Sequence, residues 1–339
     1  MTDRAHPLIS ILIVNYNGLA HVEECFASIF AQTYPRFEVV MVDNGSRDGS
    51  AERVERDYPS VKVVRAGGNL GFAGGNNHGI PHCSGDFIFL LNNDTRMEPD
   101  TLDALARAAA DHPDVHIFAC FLLNYYRPDL ADSAGDTLYA TGAPFSFQGY
   151  PAAAFRLPRF VTCACAGAAL YSRECLERTG GFDTDFFLIF EDMDLSLRAR
   201  HLGYSILFLP AARVHHKSSA SLGGKRSPLA IYYCERNHAN LLLKNFPLAD
   251  LLRLVPAFTL MKLAALLKAM REGNLKPFLK GNLEALRLVP GTLRKRKRIL
   301  GASTLSRPEF TALLRKRWWQ ERRAFKRGDF GIGPQELAR

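Results

Sequence analysis

An α/β fold, built on a doubly wound and mostly parallel sheet with a helical appendage at its C-terminal end, is what this sequence predicts. Three observations carry the prediction. Short apolar runs alternate with helical spacing from residue 8 to residue 64, in the order β-α-β-α-β. The apolar runs break off in polar turns, Asn15-Tyr16-Asn17-Gly18, Asp43-Asn44-Gly45-Ser46 and Asn92-Asn93-Asp94, and in open α/β sheets ligands sit beyond such carboxyl ends. From Leu241 onward the β signals stop and only helical runs remain.

Taken in order, residues 8–14 form the first strand, and residues 19–32 have helical spacing, with Val22, Phe26, Ile29 and Phe30 on one side until Tyr34-Pro35 ends it. Residues 37–42 are the second strand. Ser50 is placed as an N-cap before a helix over 51–58, and residues 61–64 make the third strand. The stretch 67–77 holds five glycines in nine positions and Asn69, Asn76 and Asn77. It is neither a P-loop, lacking Gly-Lys-Ser/Thr, nor a dinucleotide fingerprint, since it follows the third strand; a flexible turn fits it as well as a ligand loop. Residues 87–91 are a buried strand, 99–110 a helix, and 120–160 a loop-rich cover punctuated by Pro128, Pro144, Pro151 and Pro158. Residues 162–172 read as a strand, and a helix begins near Glu191-Asp192-Met193-Asp194. Residues 206–209 are a further strand, and beyond Pro210 come His215 and His216, which point opposite ways on an extended chain.

Length and composition set the class. With 339 residues, 47% hydrophobic and 23% charged, the chain is globular and can bury a full-sized core. Its seven cysteines lack a Cys-x-x-Cys pair, which suits free thiols in a reducing cytosol and offers no cysteine metal set. The opening MTDRAHPLIS has no apolar core of a signal peptide. The net charge of +9 is uneven: residues 241–339 carry 22 Lys/Arg against 7 Asp/Glu, and residues 1–240 carry 21 against 27. An enzyme-like body over 1–240 and a basic helical region over 241–339 are therefore expected, the latter meeting something anionic.

Two polar clusters carry chemistry. A carboxylate at the end of strand 87–91 can hold a hard divalent cation and, through it, a phosphate, although an Asn/Asp turn after a strand accounts for Asn92-Asn93-Asp94 equally. Glu191, Asp192 and Asp194 complement a helix dipole; a carboxylate in a partly apolar cleft can also be tuned as a general base.

Together these residues resemble the family 2 glycosyltransferases of GT-A fold, with the rhamnosyltransferase-like enzymes of bacterial surface-polysaccharide assembly as the nearest subgroup. The resemblance covers roughly residues 8–240. It rests on ordered motifs: Ile11-Leu12-Ile13-Val14-Asn15-Tyr16-Asn17, then Val42 to Ser50, then Asn69-Leu70-Gly71-Phe72-Ala73-Gly74-Gly75-Asn76. Leu91-Asn92-Asn93-Asp94-Thr95, Phe190-Glu191-Asp192-Met193-Asp194-Leu195 and Val214-His215-His216 complete them. What the resemblance implies is an inverting, metal-dependent transfer of one sugar, rhamnose first, from a dTDP- or UDP-sugar to a hydroxyl of a glycan or lipid-linked glycan. Asp192 would be the catalytic base, with Glu191 and Asp194 binding the acceptor. Asp94 and His216 would hold Mg2+ or Mn2+. Val14, Asn15, Tyr16, Asp43, Asn69, Gly71, Phe72, Asn76, Asn92 and Asn93 would line the nucleotide-sugar site. The family pattern is Asp-x-Asp, and Asn92 stands here at the first Asp. The Gln-x-x-Arg-Trp motif of processive members has no match, since Gln320-Glu321-Arg322-Arg323 continues with Ala324.

The basic region has its own expectation. Helical runs broken by Pro247, Pro256 and Pro277, the run Arg294–Arg298, and Arg315 to Arg317 beside Trp318-Trp319 fit an anionic membrane surface. A peripheral place on the cytoplasmic face of the inner membrane follows, with no nucleic-acid partner. Two rival readings remain. A nucleotidyltransferase has a similar fold, but its glycine-rich signature would follow the first strand. A nucleic-acid-binding protein working through the basic region would bind in a salt-dependent way without consuming a nucleotide-sugar.

Overall fold

The computed structural model describes residues 6–218 and 227–316. Its strands are β1 Ile9–Asn15, β2 Phe37–Asp43, β3 Lys62–Arg65, β4 Phe87–Leu91, β5 Thr95–Met97, β6 Ile117–Asn124, β7 Ala131–Ser133, β8 Thr137–Leu138, β9 Pro144–Phe145, β10 Arg159–Phe160, β11 Ala168–Ser172 and β12 Ile206–His216. Its α-helices are α1 Leu19–Phe30, α2 Ser50–Asp57, α3 Gly71–Gly79, α4 Thr101–Asp111, α5 Arg173–Thr179, α6 Glu191–His201, α7 Pro228–Asn245, α8 Leu248–Arg271, α9 Leu275–Gly301 and α10 Arg307–Ala312.

One sheet runs in the order β10-β12-β6-β11-β4-β1-β2-β3, with β5 added to β12 and β7 to β6. The expected class, a mixed sheet with flanking helices and a helical C-terminal region, is the one found. Its uninterrupted parallel part is β3-β2-β1-β4. Beyond it β11 runs antiparallel to both β4 and β6, while β12 is parallel to β6. Continuous apolar runs such as Phe87-Ile88-Phe89-Leu90-Leu91 serve here because both faces are covered. On one face, Ile11, Ile13, Phe87 and Phe89 pack with Val22 and Phe26 of α1, Val54 of α2 and Leu105 of α4. On the other, Leu12, Val42, Ile88 and Leu90 meet Ala73 of α3, Leu176 of α5 and Leu195 of α6.

Several elements differ from expectation. The glycine-rich stretch is helix α3, tucked against β1 and β2; a Cβ on Gly79 would lie 2.4 Å from Leu12 Cδ1 and 2.7 Å from Val42 Cγ2. Glycine is used there for close helix–strand approach. Ser50 is the first residue of α2 and not its cap; Gly49, at φ 81°, precedes it with no side-chain bond. The loop-rich stretch opens with a central strand, β6, whose unbroken apolar run carries no alternation to mark it. Of residues 162–172 only Ala168–Ser172 is strand. Pro210 does not end its strand, because β12 changes partner there: β10 pairs with Leu207 and Phe208, β5 with Val214 to His216, and the register against β6 shifts between Leu209 and Arg213. Pro256 lies inside α8 and does not break it.

Helix α7 runs across residue 240, where a boundary was expected. Leu241, Leu242 and Phe246 share a core with Met193 and Leu197 of α6, Leu254 of α8 and Phe310 of α10. Ion pairs tighten this seam. Lys244 Nζ reaches Asp194 Oδ2 at 2.8 Å and Asp183 Oδ2 at 2.5 Å, Arg198 Nε reaches Asp194 Oδ2 at 2.7 Å, and Lys295 of α9 closes on Asp183 and Asp185. Arg296 donates to the carbonyls of Leu243 and Phe246. Two cations of the Arg294–Arg298 run are therefore turned inward. Arg317, Trp318 and Trp319, part of the membrane expectation, lie outside the described residues.

Candidate active site

The register of the sheet collects the polar turns on one edge. Asn15 stands opposite Asp43 in the β1–β2 ladder, and β4 runs parallel to β1 with Leu12 opposite Leu90. Asn15 is fully buried; its Nδ2 donates to Ser50 Oγ at 2.8 Å and Ser46 Oγ at 3.2 Å, and its Oδ1 accepts from Asn93 Nδ2 at 2.8 Å. The first and third turns are thus tied together side chain to side chain. Asp43 accepts from the Ser46 amide through Oδ1 and has Arg65 3.7 Å from Oδ2. Val14 is partly exposed beside them, and Tyr16 leaves the edge with 43% of its surface free.

Asp94 and His216 come together across the sheet. Strand β12 pairs His216 with Thr95 of β5, which brings His216 Nε2 to 3.3 Å from Asp94 Oδ1 and 3.4 Å from Asn92 Nδ2. On the other side of the ring, Nδ1 meets Asp132 Oδ2 at 2.7 Å. Burial disfavours the imidazolium, but the carboxylates of Asp132 and Asp94 outweigh it and raise its pKa to about 9. Both carboxylates are held below their ordinary value, burial being outweighed by His216. As expected for an extended chain, His215 points the other way, with Nε2 3.3 Å from Glu98 Oε1.

The acidic cluster arrives by a strained turn. Phe187, Ile189 and Phe190 have φ of 60°, 68° and 72°, a region that bulky residues rarely enter. The turn is held from α7: Asn237 Nδ2 donates to the carbonyls of Phe186, Leu188 and Ile189, each at 2.8 Å, and Phe187 stacks on Tyr233. Strain that is held so firmly clusters at functional sites. Helix α6 starts directly after it. Asp192 accepts from the Met193 amide at 2.7 Å and the Ala166 amide at 3.3 Å, and burial, opposed by these amides, raises its pKa. Glu191 is raised well above the ordinary value by burial and by the Asp192 charge, and its Oε2 has no hydrogen-bond partner.

Residues 165–167 join the two halves. Ala166 donates to Asp192, the Asn92 amide donates to the Gly167 carbonyl at 2.9 Å, and a Cβ on Gly167 would lie 3.3 Å from Asn92 Nδ2 and 3.7 Å from His216 Cε1. The Cys165 thiol and the carboxylates of Asp136 and Asp192 have ligand atoms within 4.8 Å of one another.

Some expected residues do other work. Asp194 has no exposed surface and gives its oxygens to Arg198, Lys244 and Asn245; it cannot meet an acceptor, and it holds α6 to α7. Asn76 is buried and its amide caps the Phe72 carbonyl inside α3. Gly71 is a seam residue: at φ 72° its Cβ would lie 2.5 Å from the Phe187 carbonyl oxygen. Asn69 is exposed and its Oδ1 receives the Gly71 amide and Asn44 Nδ2. Phe72 packs edge-on against Phe182. Asp132 and Asn237 were not singled out in the sequence. The pair Asp132 and Asp136, flanking Ser-Ala-Gly, was a signal for the first; nothing local marks the second.

The family model described as "Glycosyl transferase family 2" matches residues 10–180. The chain is 26% identical over 260 residues to the N-acetylglucosaminyl-diphospho-decaprenol L-rhamnosyltransferase of Mycobacterium tuberculosis (strain ATCC 25618 / H37Rv), covering 69% of this chain and 82% of that protein. It is 28% identical over 251 residues to the O-antigen biosynthesis protein RfbC of Myxococcus xanthus, covering 68% of this chain and 19% of that one. Among solved structures, the mannosyltransferase PcManGT from Pyrobaculum calidifontis, in complex with GDP-Man and Mn2+, is similar in fold. The TM-score is 0.51 at 21% identity, over 96% of this chain and 83% of that one.

Proposed function

Given that the chain belongs to glycosyl transferase family 2, and is by that membership a glycosyltransferase, we propose that it moves a single sugar, with inversion, from a dTDP- or UDP-sugar to a hydroxyl of a glycan or lipid-linked glycan at an anionic membrane surface. Rhamnose is the first sugar to test, supported by the likeness to an L-rhamnosyltransferase whose name carries a diphospho-decaprenol acceptor.

One observation carries the reading: residues 165–167 touch Asp192 on one side and the Asn92–His216 edge on the other. Asp192, partly exposed and raised in pKa by burial, is placed to take the proton of an acceptor hydroxyl. One base and one displacement give inversion. Asp43 offers acceptors to the base or ribose, because a carboxylate can only accept; Asn15, fully buried with its Oδ1 taken by Asn93, holds the turns that frame that site. Glu191 stands beside Asp192 for the acceptor.

The edge fits a divalent cation. Asp94 and His216 Nε2 face one another, and Asp132 holds Nδ1, the second contact that a metal-binding imidazole ordinarily makes. Mg2+ or Mn2+ held by Asp94 and His216 would supply the positive charge that a departing diphosphate requires. Asn92 stands in place of the first carboxylate of the family pattern and turns its Nδ2 toward His216 Nε2, a neutral amide where an anion is usual.

The test is a panel of nucleotide-sugars offered with Mg2+, with Mn2+ and with chelator. Cation-dependent release of nucleoside diphosphate, greatest with one dTDP- or UDP-sugar, is expected. Turnover unaffected by chelator would remove the metal, and no turnover with any sugar nucleotide would remove the donor class.

A further inference from the structure

Helices α8 and α9 leave their outer faces uncovered. Leu248, Leu252, Val255, Leu260, Leu263, Leu267 and Met270 on α8, and Leu275, Leu279, Leu283, Leu286 and Leu293 on α9, are between 36% and 68% exposed. The steps between them, mostly three or four residues, line them up along one side of each helix. An apolar surface of this extent on a soluble chain marks a docking face.

The charges say what covers it. Every exposed charged residue within these two helices is a cation: Arg253, Lys268 and Arg271 on α8, and Lys276, Lys280, Arg287, Arg294, Lys297 and Arg298 on α9. The helices' carboxylates are turned in or partly covered: Asp250 meets Arg307, and Glu284 lies beside Arg287. The cations also have a fixed relation to the stripe. In Leu252-Arg253, Leu267-Lys268, Met270-Arg271, Leu275-Lys276, Leu279-Lys280, Leu286-Arg287 and Leu293-Arg294, each exposed apolar residue is followed at once by a cation. One residue is about 100° of helix turn, so the cations border one flank of the stripe along both helices. A second copy of this face would bring like charges together. A bilayer with anionic headgroups offers hydrocarbon to the stripe and phosphate to its flank.

We infer that the α8–α9 hairpin is the membrane-docking element, lying in the plane of an anionic lipid interface with its leucine stripe in the acyl boundary. It does not span: among the described residues no helix is long and apolar enough to cross a membrane. The hairpin's own link to the body leaves the stripe free, since Glu235 of α7 receives both Lys262 of α8 and Asn282 of α9. This rests on the membrane part of the function proposed above, not on its chemistry.

The experiment is sedimentation of the full chain with vesicles of phosphatidylglycerol and phosphatidylcholine, and with phosphatidylcholine alone. Wild type should bind the anionic vesicles and bind neutral ones at least about tenfold more weakly. The variant Leu252→Gln, Leu263→Gln, Leu279→Gln and Leu286→Gln, all at exposed positions, should lose at least about a hundredfold in binding while keeping donor turnover on a soluble acceptor. If that variant binds as wild type does, the face is assigned wrongly. If wild type ignores both vesicles and light scattering shows a dimer that the variant abolishes, the occupant is a second copy. Absence of turnover with normal vesicle binding would overturn the chemistry and leave this face standing.

Discussion

The Asp132 carboxylate lies 2.7 Å from His216 Nδ1, and the opposite ring nitrogen faces Asp94 at 3.3 Å. The imidazole is thus fixed between two carboxylates, Asp132 orienting it and Asp94 being the proposed fellow ligand of a metal. Asp132→Ala frees the ring to turn, and the concentration of Mn2+ needed for half-maximal turnover should rise about 10- to 100-fold. Donor binding without metal should change little. An unchanged metal requirement would reduce Asp132 to a packing role.

Asp192→Asn keeps shape and removes the carboxylate proposed as the base. Transfer should fall by about 100- to 10,000-fold, while nucleotide-sugar binding, measured by calorimetry, stays within severalfold. Wild-type turnover should decline as pH is lowered through a value above about 3.9, the ordinary aspartate pKa, because burial raises both Asp192 and Glu191. The two titrate as a pair, so Glu191→Gln should move that acid limb. Retention of activity within severalfold in Asp192→Asn would transfer the role elsewhere.

Asn237 donates to three carbonyls of the strained turn that presents Glu191 and Asp192, those of Phe186, Leu188 and Ile189. Asn237→Ala takes this donor from the Leu188 and Ile189 carbonyls, at about 1–3 kcal/mol each before relaxation, while Phe186 keeps the Leu188 amide. Turnover should drop while the metal requirement is retained, and the melting temperature should fall by several degrees. Normal kcat would show that the turn holds its shape without α7.

Lys244 is buried between Asp183 and Asp194. Lys244→Met should cost about 3–5 kcal/mol, because it leaves two buried carboxylates short of a cation. Burial works against both charges, yet Lys244, with Arg198 and Lys295, holds them below their ordinary values. Their folded pKa is depressed, so the stability they add is present above about pH 4 and is lost as pH falls through the folded values. Acid unfolding of wild type should therefore begin below about pH 4, and in Lys244→Met at higher pH. Identical acid midpoints, followed by circular dichroism, would contradict this.

Much of the fold was legible because its first half is regular. Strands β1, β2, β3 and β4 are apolar runs ending in polar turns, and their parallel register lines up those ends. What escaped the sequence depends on partners remote in the chain. Glycines 71–79 look like a loop until Leu12 and Val42 are seen pressing on the helix. Pro210 looks like a terminator until its strand is seen to exchange β10 for β5. In the site, Asp94, His216 and Asp192 carry motifs of their own, whereas Asp132 acts through a ring 84 residues away and Asn237 through bonds to backbone alone. Asp194 misled for the opposite reason: it shares a motif with Asp192 but, two positions on in α6, points into the seam.

That seam decides where this chain can be cut. A fragment ending at residue 240 would keep Asp183 and Asp194 and lose Lys244, Asn245 and Lys295, together with Leu241, Leu242 and Phe246, which close the core over Leu197. Catalytic body and C-terminal helices should therefore melt as one unit. A scanning calorimeter should record a single endotherm for the whole chain, and the severed body should yield none of comparable sharpness.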